Sequence, residues 1–334
     1  MIKVAINGFG RIGRLAFRQI VTQTDFDIVA INDLTSAEDL AYLVKYDTVH
    51  RSFHEDEITY EGDEIVVAGT KRIKVFSETD PVNLPWGELG VDLVLECTGK
   101  FTKFEDAKKH LDAGAKKVLI SAPGKGEMKT IVYNVNHNDL TSEDTIVSAA
   151  SCTTNCLAPV LKVINDNIGI KKGFMTTVHA YTNDQATLDI AHKKGIKARR
   201  GRACAQNIVP ASTGAAKAIG LVIPDLLNKM DGNAFRVPVA DGSVIDVTLE
   251  LKKNTTVEEI NKLFKDNQDE TLKYTEDPIV SSDIIGKKYG ALVDGLSTSI
   301  VESDGTQLVK VVAWYDNEYG YTAQMLRTAK KMFE

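Results

Sequence analysis

Cysteine is scarce in this chain. Four occur in 334 residues, and none stands in a CxxC or a Cys/His zinc spacing. That excludes a disulfide scaffold and a structural zinc module, leaves no metal to expect, and points to a reducing compartment. Long apolar runs are also missing. No stretch approaches the length needed to span a bilayer, and no basic-then-apolar leader precedes the strand pattern that opens at Ile2. The expectation is a cytoplasmic protein with no membrane partner. Positive charge is in deficit too: 40 Lys and Arg stand against 46 Asp and Glu, a net charge of −6, which argues against a dedicated nucleic-acid binder. There is no internal repeat and no low-complexity linker between the halves. What is present is 43% apolar content over a length that naturally makes two domains with ample core.

Residues 2–7, IKVAIN, form a compact strand pattern that runs into Gly8-Phe9-Gly10-Arg11-Ile12-Gly13 and then the helical spacing of LAFRQIV. A GxGxxG alone is weak evidence. Here a strand precedes it, a helix follows, and Asp33 lies about 20 positions on, at the end of the second apolar run DIVAIND. Gly8 and Gly10 permit a tight turn and close approach of a pyrophosphate, Gly13 lets the helix pack on the strand, and the helix N-terminus attracts the anion. Asp33 suits hydrogen bonds from an adenosine ribose and repels a 2′-phosphate, so the pattern favours NAD over NADP. The bland alternative is an ordinary βα turn, and the context ranks it second.

Strand patterns recur at 91–99, 117–123, 130–136 and 145–151, with a helix over 103–114 that ends in a glycine cap signal. Strands alternating with helices predict a Rossmann-type, doubly wound parallel sheet. Thr98-Gly99 and Ser121-Ala122-Pro123 then fall at its carboxyl edge, where ligands bind. The more polar stretch 47–80, with EITYEG, EIVVAG and KRIKVF, reads as an antiparallel excursion.

SAASCTTNC at 148–156 is the chemically loaded segment. A short strand pattern gives way to the helical run CLAPVLKVIND, which places Cys152 in the first turn of a helix. Unpaired N–H groups and the macrodipole there favour negative charge and are expected to lower the thiol pKa. A small buried cysteine is the competing reading. From about residue 170 longer β runs appear (GFMTTVHAYT, SVIDVTLEL, ALVDGLSTSIVES, LVKVVAWYD) with the helix TVEEINKLFKDN among them. These predict a second α+β domain built on an antiparallel sheet, with the cysteine at the seam between domains. His179 closes MTTVHAYTNDQ; a lone histidine is more often structural, but Thr182, Asn183 and Asp184 give it a polar mouth, and beside a thiol it becomes a base. The basic cluster Lys193, Lys194, Lys197, Arg199, Arg200 and Arg202 is either a solvated loop or an anion site. Ser212-Thr213-Gly214 just after it, and Arg236 in the apolar frame AFRVP, support a phosphorylated substrate.

INGFGRIGR, SCTTNCLAP, HAYTNDQ, ASTGAAKA, FRVPV and WYDNEYGY stand in one order over essentially the whole chain. Together they resemble the phosphorylating glyceraldehyde-3-phosphate dehydrogenase family of bacterial type. The resemblance implies a glycolytic oxidoreductase that converts glyceraldehyde 3-phosphate, NAD and inorganic phosphate to 1,3-bisphosphoglycerate and NADH. It makes Cys152 the nucleophile and His179 the base. It places the substrate phosphate at Thr182 and Arg236, inorganic phosphate at Ser151, Thr153, Thr213 and Gly214, and Arg200 between the two. NAD falls to Arg11, Ile12, Asp33, Ser121 and Asn317, the last on the nicotinamide carboxamide, with Tyr321 beside the ring. The final helix TAQMLRTAKKMF would return to the first domain, giving an NAD-binding domain of 1–150 plus about 317–334, a catalytic domain of 151–316, and a homotetramer.

Two departures bear on the cofactor. Glu78-Thr79-Asp80-Pro81 stands where many bacterial relatives carry ERDP, and Ala191 stands where NAD-specific ones often have proline, which opens the site to some NADP use. Asp33 keeps NAD first. The rival activities are an erythrose-4-phosphate dehydrogenase, resolved by water, and an NADP-tolerant isoform. A non-enzymatic binding role, at a surface or on RNA, is the rival from another class, and the complete Cys152, His179 and Arg236 set speaks against it.

Overall fold

Ile2–Asn7 forms strand β1, in which Val4, Ala5 and Ile6 are all fully buried. Successive side chains of a strand point to opposite faces, so a run buried from Val4 to Asn7 needs cover on both. The computed structural model, which describes residues 1–334, supplies it. Val4 and Ile6 join one apolar cluster with Phe17, Leu40 and Met325, while Ala5 joins another with Trp86, Val94 and Val118. After β1 come α1 (Arg11–Ile20), β2 (Phe26–Asn32), α2 (Ala37–Lys45), β3 (Ile58–Glu61), β4 (Glu64–Val67) and β5 (Lys71–Phe76). Then follow α3 (Trp86–Leu89), β6 (Leu93–Glu96), α4 (Phe104–Asp112), β7 (Lys117–Ile120), β8 (Lys129–Thr130) and β9 (Ile146–Ser148).

The sheet order is β3-β4-β5-β2-β1-β6-β7-β9-β8. From β5 to β8 every neighbour is parallel, as a doubly wound sheet requires. The 47–80 excursion is antiparallel through β3, β4 and the first face of β5, but β5 then runs parallel to β2, and residues 47–57 form no strand.

One expected strand is corrected. Residues 130–136 leave the sheet after Thr130. Asn136 turns its side chain back to accept from the N–H of Val132 at 2.9 Å, its own N–H bonds Val132 O, and Asn134 sits at φ 61°. Asparagine tolerates the left-handed region and satisfies its own backbone, so the β-branched periodicity of this stretch loses to turn chemistry.

The chain divides into two compact units. Unit 1 comprises Met1–Ile131, His137–Ala150 and Met325–Glu334, and unit 2 comprises Val132–Asn136 and Ser151–Gln324. Unit 2 opens with α5 (Cys152–Asn167), then β10 (Ile170–Ala180), β11 (Val209–Ser212), α6 (Ala215–Val222), β12 (Met230–Val237) and β13 (Ser243–Leu251). It continues with α7 (Val257–Asp266), β14 (Leu272–Thr275), β15 (Ala291–Asp294), β16 (Ser299–Ser303) and β17 (Thr306–Tyr315), and the last helix, α8 (Tyr319–Lys331), begins in unit 2 and passes into unit 1 at Met325. Its sheet runs β11-β12-β10-β13-β17-β15-β14, with β16 on β17. Most pairs are antiparallel, as expected for the second domain, but β10 with β12 and β14 with β15 are parallel. The α7 start is fixed by a capping box between Thr256 and Glu259. No helix is long and apolar enough to cross a membrane.

Candidate active site

One end of the unit 2 sheet gathers the reactive side chains. Parallel pairing sets His179 on β10 opposite Arg236 on β12. On the other side β13 begins at Ser243, which faces Tyr315, the last residue of β17. The register therefore delivers Arg236, His179, Ser243 and Tyr315 to one row of strand ends. Residues far apart in sequence meet because of strand pairing alone.

Into this row points the N-terminus of α5. Ser151 is its N-cap, the side chain accepting from the N–H of Thr154 at 3.1 Å. Cys152 follows, and its sulfur lies 3.4 Å from Nε2 of His179. Nδ1 of the same ring is 2.7 Å from the carbonyl of Ala180, which can only accept. Nδ1 therefore carries the hydrogen, and Nε2 presents a lone pair to the thiol. Below them the Tyr315 hydroxyl joins Thr153 Oγ1 and Thr177 Oγ1, each at 2.8 Å, and its ring meets the His179 ring edge-on at 5.9 Å.

The sequence places the thiol where its pKa is expected to fall, and here the geometry corrects that. Burial pushes the Cys152 thiol up, and the opposing pull of Arg236 and of Thr153 is smaller. Burial, followed by the Arg236 charge, takes the His179 imidazole down to about 3. Burial thus opposes charge on both partners, which lie within reach of a proton transfer between Sγ and Nε2. Cys156, also buried, is pushed higher still by its surroundings.

Beside the pair lies a cationic corner. Arg236 Nη1 donates to Ala180 O at 3.0 Å and to Thr182 Oγ1 at 2.8 Å. Thr182 in turn donates to Asp184, which also forms an ion pair with Arg200. Arg200 and Arg236 are close enough that burial and mutual repulsion lower the pKa of Arg236. A corner with two guanidinium groups and one carboxylate is matched to an anion. Thr213 and Gly214 stand apart from these contacts, at the start of α6, where Thr213 Oγ1 accepts from the N–H of Ala215 at 3.2 Å. They follow the end of β11 remote from Arg236, since antiparallel pairing with β12 sets Val209 opposite Arg236 and Ser212 opposite Asn233. Asn317 is bonded to Ser243, its Oδ1 accepting from the serine hydroxyl at 2.7 Å, and Tyr321 is buried in α8.

Unit 1 has its own cavity, of about 320 Å3, lined among others by Gly8, Gly10, Asp33, Glu78 and Thr98. Gly8 sits at φ +90°, and a Cβ there would lie 2.7 Å from the backbone N of Thr98. Only glycine fits. A Cβ on Gly10 would meet nothing, and as N-cap of α1 it supplies no side chain to the helix N–H groups, which leaves room and donors for a pyrophosphate. Gly13 is packed against Gly8 O, close enough that a Cβ would clash. Asp33 follows β2 and accepts from the N–H of Phe9 at 2.7 Å and of Thr35 at 3.1 Å. Arg11 and Ile12 lie in the first turn of α1, the Arg11 side chain paired with Asp47. Ser121 follows β7, its N–H bonded to Glu96 O. These residues fit a dinucleotide.

Tyr315, Thr177 and Ser243 have no role in the sequence reading, and Asp184 enters it only as part of the polar mouth after His179. The signal for Tyr315 was present in WYD, an aromatic closing a strand with a polar tip that needs a partner when buried. Ser243 and Thr177 gave none, because their importance is a matter of cross-strand register.

Comparison with known proteins agrees with this geometry. The family model described as glyceraldehyde 3-phosphate dehydrogenase, NAD binding domain, matches residues 2–104, and that described as the C-terminal domain of the same enzyme matches residues 151–317. The glyceraldehyde-3-phosphate dehydrogenase of Clostridium pasteurianum is 60% identical over 328 residues, 98% of this chain and 97% of the relative. That of Streptococcus pyogenes is 55% identical over 329 residues, 98% of this chain and 97% of the relative. With both domain models in register on the two units and identity sustained end to end, the chain belongs to the glyceraldehyde-3-phosphate dehydrogenase family.

Proposed function

We propose that this protein oxidises glyceraldehyde 3-phosphate to 1,3-bisphosphoglycerate with NAD and inorganic phosphate, through a thioester on Cys152. The observation that carries this reading is the 3.4 Å contact between Cys152 Sγ and a His179 Nε2 left free by the Ala180 carbonyl. NAD is the cofactor, and when bound it accepts a hydride. Gly8, Gly10, Arg11, Ile12, Gly13, Asp33 and Ser121 would hold its adenosine and pyrophosphate, and Asn317 and Tyr321 its nicotinamide end.

In the first step the Cys152 thiol gives its proton to Nε2 as sulfur attacks the aldehyde carbon, and the imidazolium returns that proton to the new alkoxide. The product is a neutral hemithioacetal. Nε2 then takes the hydroxyl proton as hydride leaves the carbon, which becomes the thioester carbonyl. Inorganic phosphate attacks that carbonyl, and the departing Cys152 sulfur recovers its proton from His179. Because the thioester keeps the oxidation energy, its cleavage by phosphate yields an acyl phosphate, whereas water would yield only an acid.

The phosphate assignments follow the same logic. Arg236 and Thr182, joined at 2.8 Å, suit the substrate phosphate. Ser151, Thr153, Thr213 and Gly214 suit inorganic phosphate, with Arg200 serving both. Asp184 holds Arg200 and Thr182 in place until an anion arrives.

A homotetramer in the cytoplasm is part of the proposal. Phe174, Val301 and Leu308 on the unit 2 sheet are exposed, as are Leu188, Ile190 and Ile196 on the segment between β10 and β11. Apolar surface of this kind is suited to cover by further copies. Four unpaired cysteines suit a reducing compartment. Sedimentation should give four chains per particle.

The decisive experiment follows NADH absorbance with glyceraldehyde 3-phosphate and NAD, with and without phosphate. Sustained turnover only with phosphate, and a single burst without it, establishes the thioester route. Turnover without phosphate would show that water resolves the intermediate, and erythrose 4-phosphate would replace the substrate. A normal burst from Cys152→Ser would remove the nucleophile assignment.

A further inference from the structure

Ser243 is the first residue of β13 and is 1% exposed. Its Oγ accepts from the N–H of Ala180 at 3.1 Å and donates to Asn317 Oδ1 at 2.7 Å. Ala180 is the residue whose carbonyl receives both Nδ1–H of His179, at 2.7 Å, and Nη1–H of Arg236, at 3.0 Å. One hydroxyl thus joins the residue that fixes the imidazole to the amide of Asn317. The backbone on the Asn317 side is fixed as well. The Asp316 carboxylate accepts from the N–H groups of Glu318 at 2.8 Å, Tyr319 at 2.6 Å and Gly286 at 2.7 Å.

We infer that Ser243 is a positioning residue for the dehydrogenase reaction, orienting the Asn317 amide for the nicotinamide carboxamide and, through Ala180, the His179 ring for Cys152. The inference rests on the reading of Asn317 as the nicotinamide contact. A serine hydroxyl has one hydrogen to give and lone pairs to receive. By spending its hydrogen on Oδ1 it turns the amide so that the Nδ2 donors lie on the other branch, the pairing that a carboxamide oxygen needs. The neighbouring Ala180 N–H and Asn317 Oδ1 are both buried groups with a stake in the same atom. Ser243 touches no reacting atom itself.

The test compares NAD with ADP-ribose, which shares every contact except those of the nicotinamide, in direct binding titrations. Ser243→Ala should weaken NAD about tenfold and leave ADP-ribose unchanged, since it strands one buried acceptor at the amide. Ser243→Thr, which keeps the hydroxyl, should restore the NAD preference. Alkylation of Cys152 by iodoacetamide in the cofactor-free protein reports the other arm, and its pH profile should shift in Ser243→Ala and return in Ser243→Thr. Equal loss of both ligands, or loss of neither, overturns the proposal. If Ser243→Ala does not fold, Ser243→Cys, with a weaker donor, should show the same selective loss, smaller in size. Asn317→Ala separates the two possible failures. A wild-type preference for NAD that survives in Asn317→Ala overturns the reading of Asn317, and the proposal with it. A preference lost in Asn317→Ala but kept in Ser243→Ala overturns the proposal alone.

Discussion

His179 and Arg236 face each other across the parallel pair β10 and β12, and both donate to the same carbonyl, that of Ala180. The imidazole and the guanidinium are therefore set by a single peptide group. A shift of either strand by a residue would turn its own side chain to the other face and separate the two.

Arg236→Lys tests the arginine's share of that arrangement. Lysine keeps the charge but not the fork that reaches Ala180 O and Thr182 Oγ1 together. The KM for glyceraldehyde 3-phosphate should rise about 10- to 100-fold, as expected from the loss of a charged hydrogen bond, with kcat falling less. Steady-state kinetics decides it. An unchanged KM would show that the substrate phosphate lies elsewhere.

His179 also leaves a mark on stability. Its ordinary value is 6.5, and burial with the Arg236 charge takes it down to about 3 in the folded state. The unfolded chain therefore binds the proton first. Stability from this group is full above about pH 6.5 and is lost as pH falls from there toward 3. In His179→Asn, which cannot titrate, urea midpoints should fall less steeply across that window than in the wild type. The same variant should lose about 10²–10⁴-fold in the rate of the NADH burst, the usual cost of a missing general base.

Asp33 has two duties, and they separate under mutation. Its carboxylate accepts from Phe9 and Thr35 N–H groups, which shapes the glycine turn, and in the proposed complex it would present negative charge beside the ribose. Asp33→Gly should raise the NADP-to-NAD ratio of kcat/KM about tenfold by removing a like-charge repulsion. NAD itself should bind less well, because the turn loses its acceptor. A ratio that does not move would place the discrimination elsewhere, with Ala191 the next residue to change.

Glu96 closes a buried polar network in unit 1. It accepts from Asn7 Nδ2 at 2.5 Å, His110 Nε2 at 3.1 Å and Thr98 N–H at 2.8 Å, while Trp86 Nε1 donates to His110 Nδ1 at 3.1 Å. The indole can only donate, so His110 carries its hydrogen on Nε2, facing Glu96. Glu96→Ala leaves several buried donors without a partner and should cost about 3 kcal/mol or more in chemical unfolding. Glu57→Ala, which breaks the exposed pair with His54, should cost about 0–1 kcal/mol.

The sequence carried more of this molecule than its strands alone would suggest. Gly8 to Gly13, Asp33, Cys152 and His179 were legible because each combines a residue type with a local context of strand, turn or helix start. The upward push of burial on the Cys152 thiol was not, because local sequence shows the helix N-terminus but not how deeply the sulfur is buried. Ser243, Thr177 and Tyr315 were hidden for a different reason. Each acts through a neighbour on another strand, and pairing partners such as Tyr315 and Ser243 leave no periodic trace in the chain. At 130–136 the β-branched pattern was real, but Asn134 and Asn136 had a cheaper local solution.

Unit 1 is completed by residues at both extremes of the chain. Met325, Leu326, Ala329 and Met332 belong to the same apolar cluster as Val4, Ile6 and Phe17. On the ribosome the first of these side chains emerges before all of unit 2 and the last only after it, at about 5–20 residues per second. The apolar cluster of the amino-terminal unit therefore cannot be completed until the last ten residues, Met325–Glu334, have been made, although most of that unit is synthesised first.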